Sequence, residues 1–156
     1  MGIAITLANY LLDRDVAYDL VAHAHTETAL ASATTSGMPA EKVVKAVVLK
    51  GQDGFMLALL PASHHIEFDK LRRLLGNDVD IAGEEQVETL FLDCEPGSVP
   101  ALGAAYGLAV VVDDSLGQQP DLYFEGGDHA HLVHISGTSF QKLMENARHG
   151  RFAERA

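Results

Sequence analysis

Cysteine occurs once, at Cys94, so the chain cannot close a disulfide on itself. A reducing compartment, the cytoplasm, is the expectation that follows. Tryptophan is absent and aromatic residues make up only 6%, so Ala, Val and Leu must fill most of any core. Basic residues are scarce: 11 Lys and Arg stand against 22 Asp and Glu, a formal net charge of −11. That balance weighs against general affinity for DNA, RNA or an anionic membrane surface, though it leaves room for one small basic recess. No apolar run approaches the roughly 18 residues of a membrane span. The opening stretch MGIAITLANYLLDRD has no basic leader, long apolar segment or cleavage site, so no signal peptide is expected. Also missing are a glycine-rich nucleotide loop, an HExxH motif and any G-x-S-x-G elbow.

What is present reads as one α/β domain. Hydrophobic residues make up 47% of 156, enough for a single core. No repeat or linker divides the chain; the expected domain is 1–148, with 149–156 a frayed tail. Ile3, Leu7 and Leu11 fall on one helical stripe. Residues 16–21, VAYDLV, have strand composition, and Thr26 or Thr28 can cap a short Ala-rich helix ending near Gly37. Pro39 suits the first turn of another short helix. VVKAVVLK (43–50) and FMLALLP (55–61) flank Gly51-Gln52-Asp53-Gly54 and predict a hairpin. A helix follows over Phe68–Leu75, then a short strand over 78–82 and an acidic helix over 83–91. LAVVVDD (108–114) reads as a buried strand, LYFE and HLVHIS as a second hairpin across GGDHA, and Ser136 or Thr138 as the cap of a last helix. Strands joined both by hairpins and by helices imply a mixed sheet rather than a doubly wound parallel one.

Three places could carry chemistry. Lys45 stands inside an apolar strand, between Val43-Val44 and Ala46-Val47-Val48. It either points to water from an edge strand or projects an ammonium that needs an anion. The loop from Glu95 to Gly103 holds two prolines that stiffen it and two glycines that allow close approach, so it is either a plain connection or a source of free backbone N–H groups for an oxyanion. The third place is a histidine group: His129 and His131 alternate beside Asp128, His134 faces the other way, and His23, His25 and the pair His64-His65 lie elsewhere. Two neighbours and a carboxylate fall short of a metal site, so no metal or cofactor is expected. Cys94 has no adjacent base to activate it and reads as a small, half-buried thiol.

Taken in order, VVKAVVLKG, FMLALLPA, CEPGSVPALG and LAVVVDDSL resemble the YbaK/EbsC and prolyl-tRNA-synthetase-associated aminoacyl-tRNA editing domains, over nearly the whole chain. The resemblance implies a mixed, barrel-like β-sheet flanked by helices. It implies a cytoplasmic, metal-independent deacylase that acts in trans on mischarged tRNA carrying a small amino acid, with an aminoacyl-tRNA synthetase as a candidate carrier. On this reading Lys45, Gly97 and Gly103 serve the reaction. Val47, Ser98, Val99, Pro100 and Ala101 shape the aminoacyl pocket, with His23 and His129 as further substrate contacts. The second hairpin, YFEGGDHAHLVHIS, departs from better-known members and bears on which amino acid is taken. Two rivals stay open: a non-catalytic module binding an aminoacyl, amino-acid or nucleotide ligand, and a metal hydrolase built on Asp128, His129 and His131.

Overall fold

The computed structural model describes residues 3–156; residues 1 and 2, the start of the expected domain, lie outside the described residues. Among the described residues ten strands and five α-helices alternate irregularly. In chain order they are α1 (Ile5–Asp13), β1 (Asp19–Ala22), α2 (Ala29–Ser36), β2 (Val43–Gly51), β3 (Gly54–Pro61), β4 (His64–Ile66), α3 (Phe68–Leu75), β5 (Asp80–Ile81) and α4 (Glu84–Leu90). After a long loop come β6 (Ala109–Asp113), β7 (Asp121–Glu125), β8 (His131–Ser136), α5 (Gly137–Leu143), β9 (Arg148–Gly150) and β10 (Ala153–Arg155). The main sheet runs β1-β8-β7-β2-β3-β6-β9, with β5 also on β2, while β4 and β10 form a separate pair. Its pairings are mixed: β2–β3 and β7–β8 are antiparallel hairpins, whereas β2–β7, β3–β6 and β6–β9 are parallel. This is the mixed sheet flanked by helices that the connections predicted.

The hairpin β2–β3 is the middle of the molecule, and its alternation divides the core. Val44, Val48, Leu57 and Leu59 face one side, with Leu7 and Leu11 of α1 and Phe140 of α5. Leu49, Ala58 and Leu60 face the other side, against Leu71 of α3 and Phe152. Val43, further along that second face, packs with Ala33 of α2 and Leu132. Local signals place the helices. Thr28 caps α2 by accepting from the Ala31 N–H at 3.0 Å, and Ser136 caps α5 by accepting from the Ser139 N–H at 3.1 Å. The expected helix at Pro39 is a single 3-10 turn, Ala40–Lys42.

Strand β2 has an interrupted outer edge. Parallel pairing with β7 covers only Val43 and Val44, and antiparallel pairing with β5 covers Leu49 and Lys50. Val48 is also covered, since its C=O accepts from the Ala82 N–H at 2.9 Å. On the opposite edge the Val43 C=O accepts from the Ala62 N–H at 2.8 Å, so odd residues of β2 direct their peptide groups to β3. The alternation leaves the N–H and C=O of Ala46 directed into the break between β7 and β5.

The C-terminal segment is not the frayed tail expected of residues 149–156. β9 extends the main sheet beside β6, and β10 pairs with β4. Phe152 is fully buried between them. The buried Asp113 carboxylate fixes the segment by accepting from the N–H groups of Phe152 and Ala153, each at 2.9 Å. The polar, charged residues around Phe152 hid this anchor from a reading of local composition. Phe152→Ala is expected to destabilise the fold by about 3–5 kcal/mol, the usual cost of emptying a buried aromatic site. Urea unfolding measures it, and an unchanged midpoint would show that the segment is not docked.

Candidate functional site

The break in the sheet opens a cavity of about 570 Å³. Its floor is β2 from Val44 to Val48, and its walls are the start of α2, the first turns of α4, the 96–99 loop and the end of β7. Of the residues expected at the site, Lys45, Val47, Gly97 and Val99 line it. Three glutamates, Glu27, Glu84 and Glu88, also lie on its walls.

Lys45 is half-buried, and its Nζ donates to the His64 C=O at 2.6 Å. It faces the same side as Val47 and Leu49, opposite Leu60 of β3. Burial alone lowers its pKa below the ordinary lysine value of 10.5; no carboxylate stands close enough to hold it up. A desolvated ammonium satisfied by one carbonyl retains two donors for an anion. Lys45 is therefore the recessed ammonium of the two readings, not an edge lysine directed at bulk water.

The loop is shaped by a buried hydrogen-bond network. Glu125, only 5% exposed at the end of β7, accepts from Ser32 Oγ at 2.5 Å and from Ser98 Oγ at 3.1 Å. Because Ser32 gives its proton to Glu125, Thr26 is the donor in the 2.6 Å contact between their hydroxyls. Ser98 Oγ in turn accepts from the N–H groups of Gly127 at 3.1 Å and His129 at 3.2 Å. One serine thus joins the 95–100 loop, strand β7 and the turn before β8. His129, with φ of 59° and 3% exposure, props the loop from behind by donating Nε2–H to the Pro96 C=O. Gly97 has φ of +86°, and a Cβ there would meet His129 Cε1 at 3.2 Å and the Glu27 C=O at 3.4 Å. Only glycine fits this passage between ring and wall. The backbone N–H groups of Gly97 and Val99 make no hydrogen bond among the described residues, while that of Ser98 donates to the Glu95 C=O.

The remaining expected residues lie apart from the cavity surface. Ser98, Pro100 and Ala101 are buried behind it. Gly103 gives its N–H to the Ala101 C=O at 3.1 Å and is packed so closely that a Cβ would lie 2.8 Å from Val110. His23 has a fully buried side chain beside Glu125, and His129 acts on the loop rather than on the cavity. Asp128, His129 and His131 do not converge: Asp128 takes His131 Nδ1 at 2.6 Å and two backbone N–H groups, while His129 turns inward. His134 is held between Asp19 and Asp121. Among the described residues the group with ligand atoms close enough for a metal is His65, Glu67 and Glu154, where Lys70 already pairs with Glu154 at 2.6 Å. Glu125 was missed by sequence reasoning. Its only signal was a carboxylate closing an otherwise apolar strand, LYFE, and strand-end acids are usually solvated.

Cys94 stands outside this constellation. Burial is the main cause that pushes its thiol up to about 11; a hydrogen bond with the Tyr106 hydroxyl opposes this, and the Asp93 carboxylate adds to it. Asp93 itself lies below the usual carboxylate range: burial works against this, but hydrogen bonds from Thr6 and Tyr106 outweigh it.

A mixed sheet broken at one strand edge, with a recessed ammonium and a loop carrying two free N–H groups on the same cavity, is the candidate site. The model of the aminoacyl-tRNA editing domain matches residues 23–143, and the chain belongs to that family. The proline–tRNA ligase of Thermosipho africanus is 39% identical over 51 residues, 32% of this chain and 9% of the ligase. That of Exiguobacterium sibiricum is 30% identical over 95 residues, 58% of this chain and 17% of the ligase. That of Xanthomonas campestris is 27% identical over 105 residues, 67% of this chain and 18% of the ligase. The chain therefore spans less than a fifth of the length of these curated relatives. Among solved structures, a candidate trans-editing enzyme for prolyl tRNA synthetase superposes with a TM-score of 0.82 at 25% identity, covering 97% of this chain and 96% of that one. A hypothetical protein of known crystal structure superposes with a TM-score of 0.84 at 20% identity, over 96% of this chain and 99% of that one, and shows the same fold.

Two outcomes are expected. Ser98→Ala strands the Gly127 and His129 N–H groups and one Glu125 oxygen, and should cost about 1–3 kcal/mol or more by chemical denaturation. Cys94 should alkylate with iodoacetamide only as pH climbs toward 11, so that the rate at pH 8 is about a thousandth of the alkaline plateau. A plateau already reached near pH 8 would contradict its burial.

Proposed function

We propose that this chain is an aminoacyl-tRNA deacylase acting in trans, which hydrolyses the ester linking a wrongly attached small amino acid to tRNA. The observation that carries the reading is Lys45: a half-buried ammonium without a carboxylate partner, lining a cavity beside the free N–H groups of Gly97 and Val99. Family membership supports the same reading. No helix among the described residues is long and apolar enough to cross a membrane.

An aminoacyl ester is already activated, so a nucleophilic side chain is not required. Lys45 holds an anionic group of the terminal adenosine, the phosphodiester on its 5′ oxygen being the chemistry that suits it. The ester carbonyl then turns toward Gly97 and Val99, whose N–H groups take the negative charge that develops on its oxygen. Water oxygen bonds to the carbonyl carbon, the bond from that carbon to the ribose oxygen breaks, and a proton from the water ends on the ribose oxygen. The products are a free amino acid and an uncharged tRNA. Gly103 is given no part, because its N–H is already engaged. Val47 and Val99 narrow the cavity, which favours a small side chain.

The acidic surface fits a protein that grips only the 3′ end of its tRNA. Glu27, Glu84 and Glu88 around the mouth oppose wider backbone contact, so binding should be weak and salt-sensitive. A synthetase that delivers the tRNA would offset this. Since no nucleophile–base pair lines the cavity, a ligand-binding module without turnover is the second reading.

Lys45→Ala is expected to lower kcat/KM on the best mischarged tRNA by roughly 10- to 100-fold, the loss of a charge-assisted hydrogen bond of about 1.5–3 kcal/mol. Lys45→Arg should recover part of it. Undiminished deacylation by Lys45→Ala removes Lys45 from the mechanism, and absence of turnover on every mischarged tRNA favours the binding module.

A further inference from the structure

Glu125 is the one buried ionisable group on the cavity that the proposed reaction does not use. Its carboxylate is almost fully buried, and the hydroxyls of Ser32 and Ser98 donate to it. No Lys or Arg lies within ion-pair distance of it among the described residues; the nearest basic nitrogen is His23 Nε2, 3.8 Å from Oε2. The sheet register explains why this carboxylate meets the cavity. Parallel pairing of β2 with β7 runs Val43 with Tyr123 and Val44 with Phe124, then stops. One step further along, Lys45 and Glu125 leave the ladder on the same face. Both line the cavity, and they are tied to different partners rather than to each other. The cavity therefore holds the Lys45 ammonium and the buried Glu125 carboxylate unpaired with each other, each with capacity to bind more.

His23 Nδ1 donates to the Ala24 C=O at 2.7 Å, and Nε2 has no hydrogen-bond partner although its side chain is fully buried. A neutral His23 consequently presents an acceptor toward an oxygen that is also an acceptor. Two buried acceptors facing each other want a donor between or beside them. An ammonium supplies three. The wall glutamates Glu27, Glu84 and Glu88 give the surroundings the same preference for positive charge.

We infer that Glu125 is the acceptor for the α-ammonium of the bound aminoacyl group, so that a free α-amine is a condition for binding. The inference rests on the editing reading and adds a selection rule to it. An ester whose amine is acylated, as in a formylated or peptidyl ester, lacks the cation and brings a bulkier neutral amide against a buried carboxylate. Such esters are rejected, while the mischarged ester with its free amine is accepted. Glu125 is thus both a substrate contact and, through Ser98, a support of the loop.

The test compares the same mischarged tRNA with its amine free and N-acetylated. The wild-type protein is expected to hydrolyse the free-amine form at least tenfold faster by kcat/KM. Glu125→Gln keeps the shape but removes the charge and turns one acceptor oxygen into an NH2 donor, so beyond any loss common to both forms it should lose activity mainly on the free-amine form and bring the ratio toward one. A purely structural role of Glu125 would lower both rates together and leave the ratio unchanged, which overturns the inference, as would equal wild-type rates on the two forms. A second measurement covers a variant that fails to fold. Wild-type binding of 3′-aminoacylamido-adenosine, a non-hydrolysable analogue, is compared with binding of its N-acetyl derivative by calorimetry. At least tenfold preference for the free amine is expected, and equal affinity overturns the inference. Amine-selective binding without turnover of any ester would sustain the ammonium site and sink the deacylase reading, so the two failures are distinguishable.

Discussion

Between Val44 and Val48, strand β2 is paired on only one side. β7 diverges from it after two residues, and β5 joins it only near its far end. An unpaired stretch in the middle of a sheet is costly where it is buried, because peptide groups there lose both their ladder partners and water. Here the break is tolerated because it opens to a cavity instead of being packed shut. The break turns Lys45 from an ordinary strand residue into a recessed ammonium. It also brings the ends of β7 and α2 to the same wall as the loop that follows α4.

That wall stands because of Ser98 and Glu125. A loop with two prolines and a glycine at positive φ does not hold its shape through backbone pairing. Its shape comes from a hydroxyl with all three hydrogen-bonding capacities used and from a histidine ring behind Pro96 and Gly97. The two residues of the loop that keep free N–H groups, Gly97 and Val99, flank the serine that is fully engaged. The proposed oxyanion role draws on this rigid support and on the two N–H groups that make no hydrogen bond among the described residues.

Much of this was legible in order but not in depth. The β2–β3 hairpin follows from two β-branched runs about a four-residue turn, and α1 and α3 follow from apolar spacing. Lys45 stood out because an ammonium among five apolar neighbours is a local contradiction. Glu125 did not, since a carboxylate at a strand end is ordinary until three other segments close over it. His129 looked like a hairpin surface histidine and is instead buried, because its positive φ turns the ring inward under the loop. The C-terminal segment looked polar enough to fray. One fully buried phenylalanine of its own and two backbone bonds to Asp113 dock it, and Asp113 is not near it in sequence.

The sequence alone determined the mixed α/β class, the central hairpin, and the lysine and loop of the candidate site. These depend on period, turn chemistry and neighbouring residues, which act within a few positions of the chain. Only the tertiary structure decided that β2 would be left open at Lys45, that the free N–H groups would be those of Gly97 and Val99 rather than Gly103, and that Glu125 would be buried on the same cavity as Lys45 without pairing to it. Those outcomes turn on where parallel strands diverge and on which distant segments cover a charge. Both are settled by packing across the whole chain, and no local pattern encodes them.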